Sequence, residues 1–123
     1  MDLLIAAIVA VLGIVAGIAH STLGERYYFR KLALEDQRGV LAPPYARPVI
    51  RAVWHLPSVT WALLGLAVLI ARVNGGDVLV STLAGALFAI SGAANIAALR
   101  MPHIGGLILL AMAGLVAADA LLI

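Results

Sequence analysis

The feature that most constrains this chain is an opening run, residues 3–19, with no polar side chain. Three more apolar runs follow at 52–71, 78–99 and 104–123. Each has about 17 to 22 residues, enough for a helix to cross roughly 30 Å of hydrocarbon. Strand-like alternation is absent, and in lipid the backbone must bond to itself, which leaves helices. We therefore predict an all-α, four-helix transmembrane bundle as one domain, with spans at about 3–20, 50–72, 78–99 and 103–122.

Composition leads to the same class of protein. Apolar residues make up 64% of the 123 residues and charged residues 11%, whereas a soluble domain carries about 25% charged residues. The outer surface is therefore expected to face lipid. The chain has no cysteine, which excludes disulfides, thiolate metal ligands and dithiol redox chemistry.

The distribution of Lys and Arg predicts the orientation. Seven basic residues fall in the loop 20–51 and at Arg100, against Arg72 alone, beside Asp77, on the other side. The positive-inside rule places the basic loop in the cytoplasm and both termini outside. Membrane topology thus accounts for the positive charge, and no nucleic-acid partner is expected. Asp2 stands where a cleaved signal peptide would carry a basic residue, so the first run is expected to remain as a span.

Small residues indicate how the helices pack. Gly13 and Gly17 belong to a stripe of small residues on the first span, which also carries His20 toward the bundle. Gly85 and Gly92 mark a similar line on the third span. Such faces let helix backbones approach closely in lipid. Between the first two spans, residues 25–37 are expected to form a short helix on the membrane surface.

Three histidines fall at one predicted depth, near the cytoplasmic edge. Neutral imidazole is a common metal ligand, and two facing histidines can also hold haem iron. We therefore predict a site for a transition metal ion or haem in a cytoplasmic-side histidine layer. Glu25 lies five residues after His20, so it joins this layer only if the helix ends or turns at Gly24. The predicted ligands are His20, His55, His103 and Glu25, with Asn95 and Arg100 in the same polar layer.

Other interpretations stay open. Each histidine can simply hydrogen-bond water, phosphate or backbone at the interface. One alternative function is a structural or assembly subunit without cofactor, and another is a small oligomeric transporter or channel that uses Asn95 or Asp119. No catalytic motif is visible, because Ser21 and Ser58 lack the pattern expected of a nucleophile, so an enzyme is not expected. The expected partners are the lipid bilayer and either a second copy or a larger membrane complex.

The stretch His20-Ser21-Thr22-Leu23-Gly24-Glu25-Arg26, with Trp54-His55-Leu56 opening the second span, resembles a group of small, uncharacterised bacterial inner-membrane proteins. The resemblance covers the first two spans and their loop. It implies a four-helix, multi-pass protein of the bacterial inner (plasma) membrane and no particular activity. Small multidrug exporters fit poorly, because their first helix needs a glutamate that residues 3–19 lack. Small fluoride channels fit poorly because their arginine motif is missing here.

Overall fold

The structure, a computed structural model, describes residues 3–33 and 39–121. Within these ranges all regular structure is helical, which confirms the all-α prediction. Four long helices dominate, joined by short helical pieces in the first connection. In chain order the elements are α1 (Leu3–Leu23), a π-helical turn (Gly24–Phe29), α2 (Arg30–Leu32), a 3₁₀ turn (Gly39–Leu41), α3 (Ala46–Val73), α4 (Val78–Leu99) and α5 (Ile104–Leu121).

Three helical stretches are long and apolar enough to cross a membrane, namely Leu3–Leu32, Ala46–Val73 and Val78–Leu99. Ile104–Ala118 is a shorter apolar helix. The outer surface carries many large apolar side chains: Leu4, Ile90 and Ile104, for example, are exposed over 64%, 64% and 72% of their surface. Large side chains exposed in this way on every helix are typical of a surface that lipid covers.

Helices α1 and α3 pack backbone to backbone. A Cβ atom on Gly13 would lie 2.5 Å from the carbonyl oxygen of Trp61, and one on Gly17 would lie 2.5 Å from that of Ser58. From the other side, a Cβ on Gly65 would lie 2.9 Å from the Cα of Ala10. Only glycine allows these approaches. In lipid, apolar helices gain nothing from the hydrophobic effect when they associate, so close backbone packing is a main source of their stability.

Helices α4 and α5 form the second close pair. Gly92 is buried, and a Cβ there would lie 2.8 Å from the carbonyl oxygen of Gly106. Gly85 is looser, since its Cβ would meet Val116 at an ordinary 3.5 Å. The side chains of Phe88, Leu109 and Met112 are fully buried between the two pairs. The centre of the bundle is therefore a closed apolar core.

The first connection differs from the prediction of a separate surface helix over 25–37. Helical structure does not stop at Gly24 but widens into a π-helical turn and continues to Leu32. Gly24 is buried against the indole of Trp54, and a Cβ there would overlap the ring. Residues 34–37 of the predicted surface helix lie outside the described ranges.

The other connections are short and have clear local causes. The turn from α3 to α4 uses Gly75 and Gly76 with φ of 100° and 91°. Asp77 then caps α4, because its Oδ1 accepts hydrogen bonds from the N–H groups of Leu79 and Val80. These tight turns hold consecutive helices antiparallel, so α1 ends, and α3 and α5 begin, at the same end of the bundle.

Candidate functional site

A cluster of polar side chains links α1 to α3 at that end of the bundle. Helical spacing brings them together: Ser21 and Glu25 are four residues apart, and Arg51, His55 and Ser58 follow at steps of four and three. Residues at these steps share one face of a helix. The two faces meet where the α1 stripe of small residues crosses α3. We call Ser21, Glu25, Arg51, His55 and Ser58 the boundary cluster.

The outer part of the boundary cluster is an ion pair. Arg51 Nε donates to Glu25 Oε1 at 2.6 Å, and Arg51 Nη2 donates to Glu25 Oε2 at 2.8 Å. This two-point geometry fixes the plane of the carboxylate as well as its position. The side chain of Arg51 is 60% exposed and that of Glu25 35% exposed, so the pair lies at the rim of the bundle.

His55 continues the chain of hydrogen bonds inward. Its Nε2 lies 2.8 Å from Glu25 Oε1, and its Nδ1 lies 2.9 Å from Ser21 Oγ. The Ser21 hydroxyl is in turn 2.8 Å from Ser58 Oγ, which is buried. The boundary cluster is therefore an unbroken line of hydrogen bonds from an exposed guanidinium to a hydroxyl inside the α1–α3 interface.

The carboxylate determines which nitrogen of His55 carries the proton. An ionised carboxylate only accepts hydrogen bonds, so Nε2 must be the donor toward Glu25. In the neutral imidazole, Nδ1 then has a free lone pair and accepts from the Ser21 hydroxyl. When the ring is doubly protonated, Nδ1 donates to Ser21, and the Ser21 hydroxyl donates to Ser58. The same side chains thus support two hydrogen-bond directions.

His20 faces the bundle, as its place in the small-residue stripe predicted, but it contacts aromatic rings rather than ligands. Its ring stacks on Trp54 at a centroid distance of 4.5 Å, tilted by 10°, and meets Trp61 edge-on at 5.1 Å. The indole N–H of Trp54 also donates to the backbone carbonyl of His20 at 3.3 Å. This packing fixes α1 against α3 directly below the boundary cluster.

The other members of the predicted polar layer are not part of the boundary cluster. His103 precedes α5, and its Nδ1 accepts from the N–H of Gly105 at 3.2 Å, which makes it a local cap. Arg100 is exposed and ends α4 in the left-handed conformation, with φ of 53°. Asn95 is half-buried on α4. Within the described ranges, no hydrogen bond or ion pair joins any of these three to the boundary cluster. The side chain of Asp119 lies outside the described part of the structure.

The predicted metal or haem site finds no support in this arrangement. Among residues 3–33 and 39–121, no group of three or more His, Cys, Asp or Glu side chains is placed to hold a metal ion. Both ring nitrogens of His55 already have protein partners. The metal or haem site therefore stays a prediction from the sequence.

Two cavities flank the boundary cluster. The first, of about 490 Å³, lies outward and combines the basic side chains of Arg47 and Arg51 with His55 over an apolar wall that includes Phe29 and Leu32. We call it the basic cavity. The second, of about 410 Å³, is a groove beside the two hydroxyls. We call it the apolar groove, and it is lined by Ile14, Gly17, Ile18, Ser21, Thr22, Ser58, Val59, Ala62 and Leu63.

The sequence interpretation missed Ser21 as a partner of His55, Arg51 as the partner of Glu25, and Ser58 as the partner of Ser21. The spacing of Arg51, His55 and Ser58 on one helical face was the available signal. The four-residue spacing of Ser21 and Glu25 was a second signal. It was obscured because Glu25 was compared with His20, which lies on a different face.

Comparison with known proteins adds no relative. No protein-family model matches the chain, and no curated protein or solved structure matches it either. The site must therefore be interpreted from its own geometry.

Proposed function

We propose that this protein is a multi-pass integral membrane protein of the bacterial inner membrane, with four spans and both termini outside. Three helices of spanning length and an apolar outer surface support the membrane assignment. Counting about 1.5 Å per residue, the 18 residues of α5 reach about 27 Å, close to the thickness of the hydrocarbon layer. Within the described ranges, the Lys and Arg residues lie mainly at the end of the bundle that holds the boundary cluster, which favours a cytoplasmic position for that end.

Its proposed activity is to bind the phosphate headgroup of an anionic lipid in the basic cavity. The observation that carries the proposal is the placement of the Arg47 and Arg51 side chains beside an apolar wall. His55 also lines the cavity, but its ring nitrogens are already bonded to Ser21 and Glu25. Arginine is suited to phosphate because its planar donors match two phosphate oxygens at once. The apolar wall suits the glycerol and first methylenes of a lipid. Basic pockets between helices at the cytoplasmic side are known to bind such headgroups.

The length of α3 supports a position of the basic cavity at the level of the lipid headgroups. Its 28 residues reach about 42 Å, roughly 12 Å more than the hydrocarbon layer. Residues 52–71 are the uncharged part of α3. Placing them in hydrocarbon leaves Arg47 and Arg51 in the headgroup region, where a lipid phosphate lies.

The other functions expected from the sequence are less well supported. A path across the bundle would have to pass Phe88, Leu109 and Met112, which fill the centre with apolar side chains. An assembly subunit that docks other helices through Gly13 and Gly17 would need a free face there, but α3 of the same chain covers both glycines. Headgroup binding needs neither a path across the bundle nor a free face at these glycines.

The test is titration of the detergent-purified protein with phosphatidylglycerol, with binding read by native mass spectrometry. Phosphatidylcholine serves as the lipid without net charge. We expect tighter binding of phosphatidylglycerol, weakened about fivefold by Arg47→Gln, since one arginine near a headgroup contributes about 1 kcal/mol. Arg72→Gln, at the opposite end of the same helix, is the matched control and should bind as the parent does.

Two results would contradict the proposal. One is equal affinity for the two lipids. The other is an equal loss of affinity in Arg47→Gln and Arg72→Gln, which would indicate a diffuse charge effect. Millimolar inorganic phosphate distinguishes the source of the ligand, because displacement of the lipid by phosphate alone would identify the site as a free-anion site.

A further inference from the structure

The boundary cluster contains the three groups of an activated serine: a serine hydroxyl, an imidazole that can serve as its base, and a carboxylate that orients the imidazole. They form one line of hydrogen bonds. Ser21 Oγ lies 2.9 Å from His55 Nδ1, and His55 Nε2 lies 2.8 Å from Glu25 Oε1. Both distances are within the range for a nucleophile with its base and for a base with the group that orients it. We propose that Ser21 is the nucleophile of an acyl-transfer site that hydrolyses a long-chain ester. This activity goes beyond lipid binding in the basic cavity, although Arg51 and His55 belong to both sites.

The roles of the residues follow from which ring nitrogen of His55 carries the proton. Glu25 accepts from Nε2–H, which leaves the lone pair of Nδ1 directed at the Ser21 hydroxyl. The usual serine-hydrolase arrangement has Nε2 as the base and the carboxylate on Nδ1, so this site exchanges the two nitrogens while keeping the order of groups. Arg51 holds Glu25 at two points and prevents the carboxylate from rotating away. Glu25 and Arg51 are thus positioning residues.

A hydrogen-bond donor lies beside the reacting oxygen. The Ser58 hydroxyl is 2.8 Å from Ser21 Oγ and lies in the buried helix interface. When Ser21 donates to His55, the Ser58 hydroxyl is free to donate toward an oxyanion formed next to Ser21. Donors directed at developing charge in a site shielded from water stabilise it far more than in water.

The apolar groove indicates the substrate class. Ser21 and Ser58 lie along it, and its other walls include Ile18 and Leu63, which are 63% and 60% exposed on the outer surface. In a membrane protein that surface meets acyl chains, so the groove opens to the hydrocarbon of the bilayer. A fatty-acyl chain in the groove brings its ester carbonyl to the polar end, where the two hydroxyls lie.

The chemistry balances with water as the only co-reactant. Ser21 Oγ bonds to the acyl carbon and its proton moves to His55 Nδ1. The ester C–O bond then breaks, and the alcohol leaves with that proton. Water adds to the acyl-serine and gives a proton to His55, and the new C–O bond to Ser21 breaks as the serine regains the proton. The products are a carboxylic acid and an alcohol.

The test is covalent labelling with an alkyl fluorophosphonate carrying a chain of roughly ten carbons, long enough to follow the walls of the apolar groove. Serine attack on phosphorus expels fluoride, and mass spectrometry locates the phosphonylated residue. We expect modification at Ser21 in the parent protein and none in Ser21→Ala. His55→Gln should slow labelling about 100-fold or more, the contribution of a general base. Ser81→Ala, a buried serine on α4, is the matched control and should label at the parental rate.

Two further pairs test the positioning residue and the groove. Glu25→Asp keeps the carboxylate and should retain more labelling than Glu25→Gln, whereas a merely structural effect of the shorter side chain would reverse that order.

Ala62→Phe fills the apolar groove and should slow the long-chain probe more than an ethyl probe. Ala67→Phe, further along α3 outside the groove, should not discriminate between the probes. An unmodified Ser21 in the parent protein, or equal labelling of parent and His55→Gln, overturns the proposal.

Discussion

The α1–α3 contact makes Gly17→Ala the sharpest test of the packing. The added Cβ would lie 2.5 Å from the Ser58 carbonyl oxygen, about 0.9 Å inside the 3.4 Å at which ordinary contact begins. The neighbouring atom is backbone, so the two helices must separate. Overpacking of this kind costs about 1–3 kcal/mol, and the better helix propensity of alanine returns about 0.5–1 kcal/mol. We expect a net loss of about 0–2.5 kcal/mol in the free energy of unfolding.

The matched control is Gly114→Ala on α5, where an added Cβ meets no atom within 4 Å. It should stabilise the protein by about 0.5–1 kcal/mol, the propensity gain alone. Reversible unfolding in mixed micelles of sodium dodecyl sulfate and a mild detergent, followed by circular dichroism, measures both variants. Equal stability changes in the two variants would refute the backbone-to-backbone contact of α1 and α3.

Three other results are expected. Asp77→Ala removes the cap of α4 and should cost about 1 kcal/mol of unfolding free energy, while Asp77→Asn should cost much less; equal losses would show that the cap is not the cause. Gly24→Ala, made in Trp61→Phe so that Trp54 is the only indole, should shift the fluorescence emission to longer wavelength, because the new Cβ displaces the half-buried ring; an unchanged spectrum would contradict that contact. Treatment with a chelator should leave the thermal midpoint unchanged, since both ring nitrogens of His55 have protein partners; a stoichiometric metal or a Soret band in the untreated protein would instead support the predicted metal or haem site.

The helical class was predictable because its causes are local. The length and apolarity of each run, and the lack of polar residues to cover a soluble surface, depend only on the sequence. The stripe that contains Gly13 and Gly17 also indicated which face of α1 turns inward. The three histidines illustrate the limit: their similar positions near helix ends did not indicate their separate partners, since His20 stacks on Trp54 and His103 caps α5.

The boundary cluster was not predictable in full because it depends on the contact between α1 and α3. Glu25 shares a helical face with Ser21, but the sequence interpretation compared it only with His20 and made it conditional on a break at Gly24. The helix instead continues through a π-helical turn, and Gly24 lies against the Trp54 ring from α3. That contact joins residues 30 positions apart, and no local pattern in either segment predicts it.

The π-helical turn also bears on how the chain can vary in length. One residue fewer between Gly24 and Phe29 would let α1 continue as an ordinary helix, with all its backbone bonds intact. A π-helical turn holds one residue more than an α-helical turn, so the side chains from the deletion to Leu32 would keep their present direction around the axis. A deletion in the regular part of α1 has no such turn to absorb it and rotates the side chains on its two sides by about 100° relative to each other. The π-helical turn is therefore the part of this helix that best tolerates the loss of one residue.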